Sequence, residues 1–185
     1  MLKTEEIRIH GRGGQGVVTA AELIAIAGFR SGLEAQSFPN FGVERSGAPI
    51  QAFARLSSEK ILTREQVTQP SVLIIQDSTL LKSPEIFKGV TPDTLIIING
   101  QDDGSKIIKS LKKSYARLFF SPATAIAMEI LGRNIVNTVI LGAFARHSGL
   151  ISLPALKEAI KEKLSNKGAD IVKKNIRAAS KAFYA

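Results

Sequence analysis

Ile7-Arg8-Ile9-His10 leads into Gly11-Arg12-Gly13-Gly14-Gln15-Gly16, and the chain then runs through Val17, Val18, Ala20, Ala21, Leu23, Ile24, Ala25, Ile26, Ala27 and Phe29. Few folds accommodate that order. Residues 5–10 predict a strand, the glycines a tight turn, and Gln15 to about Arg30 a helix apolar nearly all round. Only Thr19 and Glu22 interrupt the helix, so a sheet and further elements must cover most of its sides. Ser31-Gly32 supplies its stop. Four glycines in six positions leave open backbone N–H groups at a helix N-terminus, beside the Arg12 guanidinium. That is a place for an anion or a closely packed partner.

Downstream, Glu34–Phe38 is a candidate second strand, followed by a loop between Pro39 and Pro49. Ile50, Ala52, Ala54 and Leu56 alternate with Gln51, Phe53 and Arg55, which predicts a strand buried on one face and near a sheet edge. A short helix is expected around Thr63–Val67, before Pro70. Val72–Ile75 and Leu95–Ile98 are continuous apolar runs, read as central parallel strands buried on both faces. Short helical pieces over Leu80–Lys88 join them. An amphipathic helix at Lys106–Lys113 and a strand at Ala116–Phe120 come next. Ser121-Pro122 is expected to cap a helix that ends at Gly132. Further helices are expected from Ile135 to His147, from Ser152 to Gly168, and along the Val172, Ile176, Ala179 and Phe183 stripe. The expected architecture is α/β: a three-layer αβα single domain over 1–185, with a mostly parallel mixed sheet and a helical C-terminal third.

Composition narrows the chemistry. With no cysteine and only His10 and His147, the chain holds no thiolate nucleophile, no Cys-ligated zinc and no Cys-ligated iron–sulfur cluster. Catalytic and metal residues are expected to be absent from this chain. No apolar run approaches the ~18 residues of a membrane span, and no signal peptide opens the chain, so the expected compartment is the cytoplasm. Net charge is +9, much of it in residues 157–181, where eight bases stand against three acids. No aromatic stacking platform accompanies these bases, so nucleic acid is not the expected partner; a solvated helix face is.

Two readings of the glycine turn stay open at this point. Gly11-x-Gly13-x-x-Gly16 has the dinucleotide-fingerprint spacing, but Glu34, at about the right distance, opens its strand instead of closing it. No Gly-Lys-[Ser/Thr] follows, which excludes a P-loop. The second informative stretch is Phe38–Pro49. Phe38 and Phe41 lie among turn residues beside Glu44 and Arg45, pointing either to a face that another subunit covers or to a loop folded into the core. His10 is read as hydrogen-bonded to backbone rather than as a proton carrier. Asp77 and Asn99 end apolar strands where open sheets hold ligands, and each could equally cap the following turn.

Gly11–Val17, Phe38–Pro49, Ile75–Leu81 and Ile135–Ala143 together resemble the gamma subunit of 2-oxoacid:ferredoxin oxidoreductases, most of all the pyruvate (pyruvate synthase) branch. Val43 and Ser46 depart from the family pattern, which often has proline and a second arginine there. The resemblance implies a non-redox subunit of a cytoplasmic hetero-oligomer of anaerobic metabolism, inactive alone. The complex would oxidatively decarboxylate a 2-oxo acid on thiamine diphosphate, pass electrons through iron–sulfur clusters to ferredoxin, and release acyl-CoA. Thiamine diphosphate and the clusters would sit on the alpha, beta and delta partners. This chain would contribute Gly11, Arg12, Gly13, Gly14, Gln15 and Gly16 to the coenzyme A or thiamine side. Phe38, Phe41, Gly42, Glu44, Arg45, Gly47 and Pro49 would form a loop at the site and subunit interface. A 2-oxoglutarate or branched-chain substrate, or a free-standing dinucleotide-binding module, is the alternative.

Overall fold

A computed structural model describes residues 4–40, 47–115 and 117–185. Six strands form one sheet in the order β2-β3-β1-β4-β5-β6. β1 (Glu5–Arg12), β4 (Val72–Ile75), β5 (Leu95–Asn99) and β6 (Leu118–Ser121) run parallel. β3 (Pro49–Ser57) lies antiparallel between β1 and the edge strand β2 (Glu34–Pro39). The sheet is therefore mixed, and the α/β architecture is as expected.

Side chains alternate across the sheet, so each strand feeds two cores. Ile7, Ile9, Ala52, Ala54, Leu56, Ile74 and Ile97 face α1 (Val17–Arg30), α3 (Ala123–Leu131), α4 (Ile140–Ser148), α5 (Leu153–Lys163) and α6 (Ala169–Tyr184). Leu73, Ile75, Ile96 and Ile98 face a thinner layer made of α2 (Lys106–Ser114) and two 3-10 turns, Ser78–Lys82 and Pro84–Phe87. α1 meets the demand of its apolar circumference by packing on β1–β3 on one side and α5 on the other.

Four expectations are corrected. Thr63–Val67 forms no helix. Arg8 donates to the carbonyls of Val67 and Thr68, and Arg55 to that of Glu65, so this segment is drawn across β1 and β3 as an irregular strap. A helix would use such carbonyls internally. For the same reason β3 is not half exposed: Phe53 and Arg55 are each only 1% accessible beneath the strap. Ser121 does not cap α3, because it ends β6 with its hydroxyl buried; Asn99 Oδ1, from the end of β5, accepts from Thr124 N at 3.0 Å instead. α4 starts at Ile140 rather than Ile135, since Asn137 Oδ1 takes the Thr138 amide and holds a turn there.

The basic C-terminal helices are laced with ion pairs. Lys163 meets Glu22 at 2.8 Å, Lys174 meets Asp170 at 2.8 Å, and Lys181 meets Glu129 at 2.6 Å. That agrees with a solvated helix face.

Candidate functional site at the β1–β4 switch point

From β1 the chain crosses through α1 to the β2–β3 side of the sheet, whereas β4 lies on the other side of β1. The carboxyl ends of β1 and β4 therefore flank a topological switch point, where open α/β sheets hold ligands. The glycine turn leaves β1 here and Gln76-Asp77 leaves β4 here.

Pairing with β3 carries β1 two residues beyond the expected strand, through Gly11↔Ile50 and Arg12↔Pro49. The turn then binds the loop before β3: Gly13 N donates to Ala48 O at 2.9 Å and Gly47 N donates to Gly13 O at 3.2 Å. The glycine turn and the described part of the second motif thus form one surface, with Gly47 and Pro49 exposed. Phe41, Gly42, Glu44 and Arg45 lie outside the described residues. Phe38 is not part of an exposed loop; it is in β2, half-buried against Phe53 at 5.2 Å between ring centroids, with the Arg55 guanidinium 5.1 Å from its ring.

Gly16 is the N-cap of α1 at φ 71°, left-handed backbone that glycine adopts without strain. A Cβ there would also lie 2.3 Å from Asn137 Nδ2. The cap makes no side-chain hydrogen bond and the first turn carries no acid. The first-turn amides have no acceptor within the helix, so α1 presents an electropositive end at the crevice.

Arg12 is fixed in place. Its Nε donates to Asp77 Oδ2 at 3.1 Å, Nη1 to Gly47 O at 3.1 Å and Nη2 to Thr79 Oγ1 at 2.8 Å. Gln15 completes the network, accepting from Arg12 N at 2.8 Å and donating to Asp77 Oδ2 at 3.0 Å. Burial alone would raise the Asp77 carboxyl; hydrogen bonds from Thr79 and Gln15 and the Arg12 charge outweigh it and hold it below the usual carboxylate range. Asp77 also caps the following 3-10 turn through Thr79 N. It was legible only as a polar residue closing an apolar strand, a signal shared by Gln76 and Asn99.

His10 turns to the opposite face of the sheet, toward a cavity of ≈ 740 Å³ that Arg8 and residues 66–69 also line. Its Nε2 is buried without a partner among the described residues, so the expected backbone bond is not made through that atom. Burial, with the Arg8 charge, lowers its pKa to about 4, so the ring is neutral near pH 7. Glu34 faces Ser57 at the other end of the sheet from the glycines. At ~3.3 Å per strand residue the separation is on the order of 20 Å. Glu34 is therefore not placed to serve as the acid that the dinucleotide reading requires.

The family model for pyruvate ferredoxin/flavodoxin oxidoreductase matches residues 6–185. The chain belongs to this family. Within it, the gamma-type chain is 44% identical over 178 residues to the pyruvate/ketoisovalerate oxidoreductases common subunit gamma of Thermococcus kodakarensis, covering 96% of this chain and 95% of that one. It is 47% identical over 157 residues to the pyruvate synthase subunit PorC of Methanosarcina barkeri, covering 85% of each. The crystal structure of the PORC subunit of pyruvate oxidoreductase from Thermotoga maritima superposes with a TM-score of 0.82 at 32% identity, over 99% of this chain and 97% of that one. A 2-oxoglutarate:ferredoxin oxidoreductase from Magnetococcus marinus matches at a TM-score of 0.75 and 26% identity, over 98% of this chain but 31% of that longer one. The gamma fold thus occurs both as a separate subunit and as part of a longer polypeptide. The protein is accordingly a gamma (PorC) subunit of a pyruvate:ferredoxin oxidoreductase-type complex. Among its described residues, no helix is long and apolar enough to cross a membrane.

Proposed function

We propose that this gamma subunit forms a coenzyme A-facing wall of a thiamine diphosphate-dependent complex that converts pyruvate, coenzyme A and oxidised ferredoxin to acetyl-CoA, carbon dioxide and reduced ferredoxin. The observation that carries this reading is the uncapped, acid-free N-terminus of α1 at the switch point, joined by two backbone hydrogen bonds to the loop before β3. Its open amides suit an anionic group of the coenzyme. Arg12 adds a cation to the rim, partly neutralised by Asp77. The Magnetococcus relative, whose structure holds coenzyme A and succinyl-CoA, supports the choice of ligand.

In this reading Gly11–Gly16, with Gly47 and Pro49, face the coenzyme, and the segment around Phe41, Glu44 and Arg45 meets the partner chains. The iron–sulfur clusters sit on partner chains, because a chain without cysteine supplies no thiolate for a cluster, and thiamine diphosphate is assigned to the alpha and beta partners on the family resemblance. The 2-oxo acid is selected on those partners. The name of the Thermococcus relative, a subunit common to pyruvate and ketoisovalerate oxidoreductases, favours that division and leaves branched-chain acids as a second substrate class.

Reconstitution tests the proposal. The purified subunit alone should not oxidise pyruvate with coenzyme A and a viologen dye, and adding it to the other subunits should restore activity. Full activity of a complex lacking this chain would refute it.

A further inference from the structure

Beside the glycine turn, a recess of ≈ 570 Å³ opens at the carboxyl ends of β4 and β5. Gln76, Asn99, Gln101, Thr124 and Asn134 line it, with Asp77. Asp77 is the only carboxylate among the described lining residues, none of which is cationic, and it is engaged by Arg12, Gln15 and Thr79. A phosphate placed here would lose its hydration without gaining a cation. The recess suits a neutral group that offers a donor beside an acceptor.

Gln76 sharpens this. Its main chain is fixed, with N donating to His10 O at 2.8 Å and O accepting from Asn99 Nδ2 at 2.8 Å. The residue is 1% accessible, and both side-chain amide atoms are buried with no hydrogen-bond partner among the described residues. The amide packs against Gly11, where a Cβ would lie 3.2 Å from Oε1 and closer still to Val17. Val17 is thus the main reason for a glycine at position 11, and the Gln76 amide lies in the same crowded corner with its donor and acceptor unpaired, which costs the fold stability.

We propose that this recess is a second subsite, taking a neutral donor–acceptor moiety of the ligand, and that the Gln76 amide, buried at its floor, turns toward that moiety when it binds. The matching chemistry is a carboxamide or a purine edge, each of which pairs both ways with a glutamine amide. The inference rests on the coenzyme-facing reading of the glycine turn: the α1 amides take the anionic part and the recess a neutral part.

The test is Gln76→Leu, close to glutamine in size, in the full chain and in the assembled complex, with Asn134→Leu at the exposed rim as a second variant. Gln76→Leu should raise the Tm of the subunit, because it removes an unpaired polar group. It should also raise KM for coenzyme A about three- to tenfold, the loss of one or two neutral hydrogen bonds, and leave KM for the 2-oxo acid alone. Asn134→Leu should move KM for coenzyme A in the same direction. Pantetheine and adenosine 5′-monophosphate, tested as competitors of coenzyme A, separate the two sources. Selective weakening of pantetheine by Gln76→Leu assigns a carboxamide, and of the nucleotide a purine. A lower Tm or failure to fold makes Gln76 structural and overturns the proposal, as does an unchanged KM in both variants. Gly13→Val is the reference. If it raises KM for coenzyme A while the recess variants do not, the coenzyme-facing reading stands and the subsite falls; if none of the three does, both fall.

Discussion

Arg12 Nε lies 3.1 Å from Asp77 Oδ2, an ion pair that ties the turn after β1 to the end of β4. It sets the charge at the crevice mouth. Removing the cation alone exposes a carboxylate to an incoming anion. Arg12→Ala should therefore raise KM for coenzyme A about tenfold without unfolding the subunit, and Arg12→Ala/Asp77→Asn should recover part of that loss, since the repelling charge is gone. Steady-state kinetics of the reconstituted complex check both. An unchanged KM in Arg12→Ala would assign the pair to packing.

Asp77 also links stability to acid. Its carboxyl titrates below its ordinary value in the fold, so the stability it contributes is present above the unfolded-state pKa of 3.8 and is lost as pH falls through the lower folded value. Urea unfolding between about pH 5 and pH 2 should show this loss, with a shallower slope in Asp77→Asn. At pH 7 that variant should be about 1–3 kcal/mol less stable, as expected for charge-assisted hydrogen bonds.

His10 works through the opposite charge state with the same sign. Its folded pKa is about 4 against an ordinary 6.5, so the unfolded chain binds the proton first as pH falls. Its neutral burial contributes fully above about pH 6.5, and stability drops between about pH 6.5 and pH 4, by at most ~3 kcal/mol. His10→Gln should flatten that part of the curve.

Gly16→Ala should destabilise the subunit by at least ~2 kcal/mol. Left-handed backbone costs a residue with a Cβ about 1–2 kcal/mol, and here the methyl also meets Asn137. Chemical denaturation measures it.

Arg8 donates to the carbonyls of Ile86 at 2.9 Å and Lys88 at 2.7 Å, besides those of Val67 and Thr68. Arg8→Met should cost about 3 kcal/mol or more by leaving buried carbonyls unpaired. Limited proteolysis should then cut first within residues 61–70. An unchanged cleavage pattern would show that the strap is held by other contacts.

Much of the fold was written locally. The apolar runs at Val72–Ile75 and Leu95–Ile98 and the capping Ser152 at α5 each needed only their own neighbours to be read, and each appears where expected. Three of the four misread elements share one cause, side chains reaching across the sequence, whereas the late start of α4 is set locally by Asn137 and Thr138. Arg8 and Arg55 override the helical pattern at Thr63–Val67, and Asn99 takes the capping role expected of Ser121 from 25 residues away. At the site, the glycine turn was visible because glycine spacing is a local signal. The contacts that fix its chemistry were not: Asp77, legible only as a strand-end candidate, and Gln76 join it through the β1–β4 register, and Gly47, expected at the site from the resemblance alone, joins it through the β1–β3 pairing.

A subunit that faces the coenzyme through the turn after β1 and the loop before β3 should register coenzyme A at those backbone amides. Hydrogen–deuterium exchange on the assembled complex, with and without coenzyme A, tests this most directly. Coenzyme A should slow exchange at amides 13–19 and 47–48, while the 2-oxo acid alone should leave them unchanged. Unaltered exchange at those amides, with coenzyme-dependent protection confined to other chains, would contradict this placement.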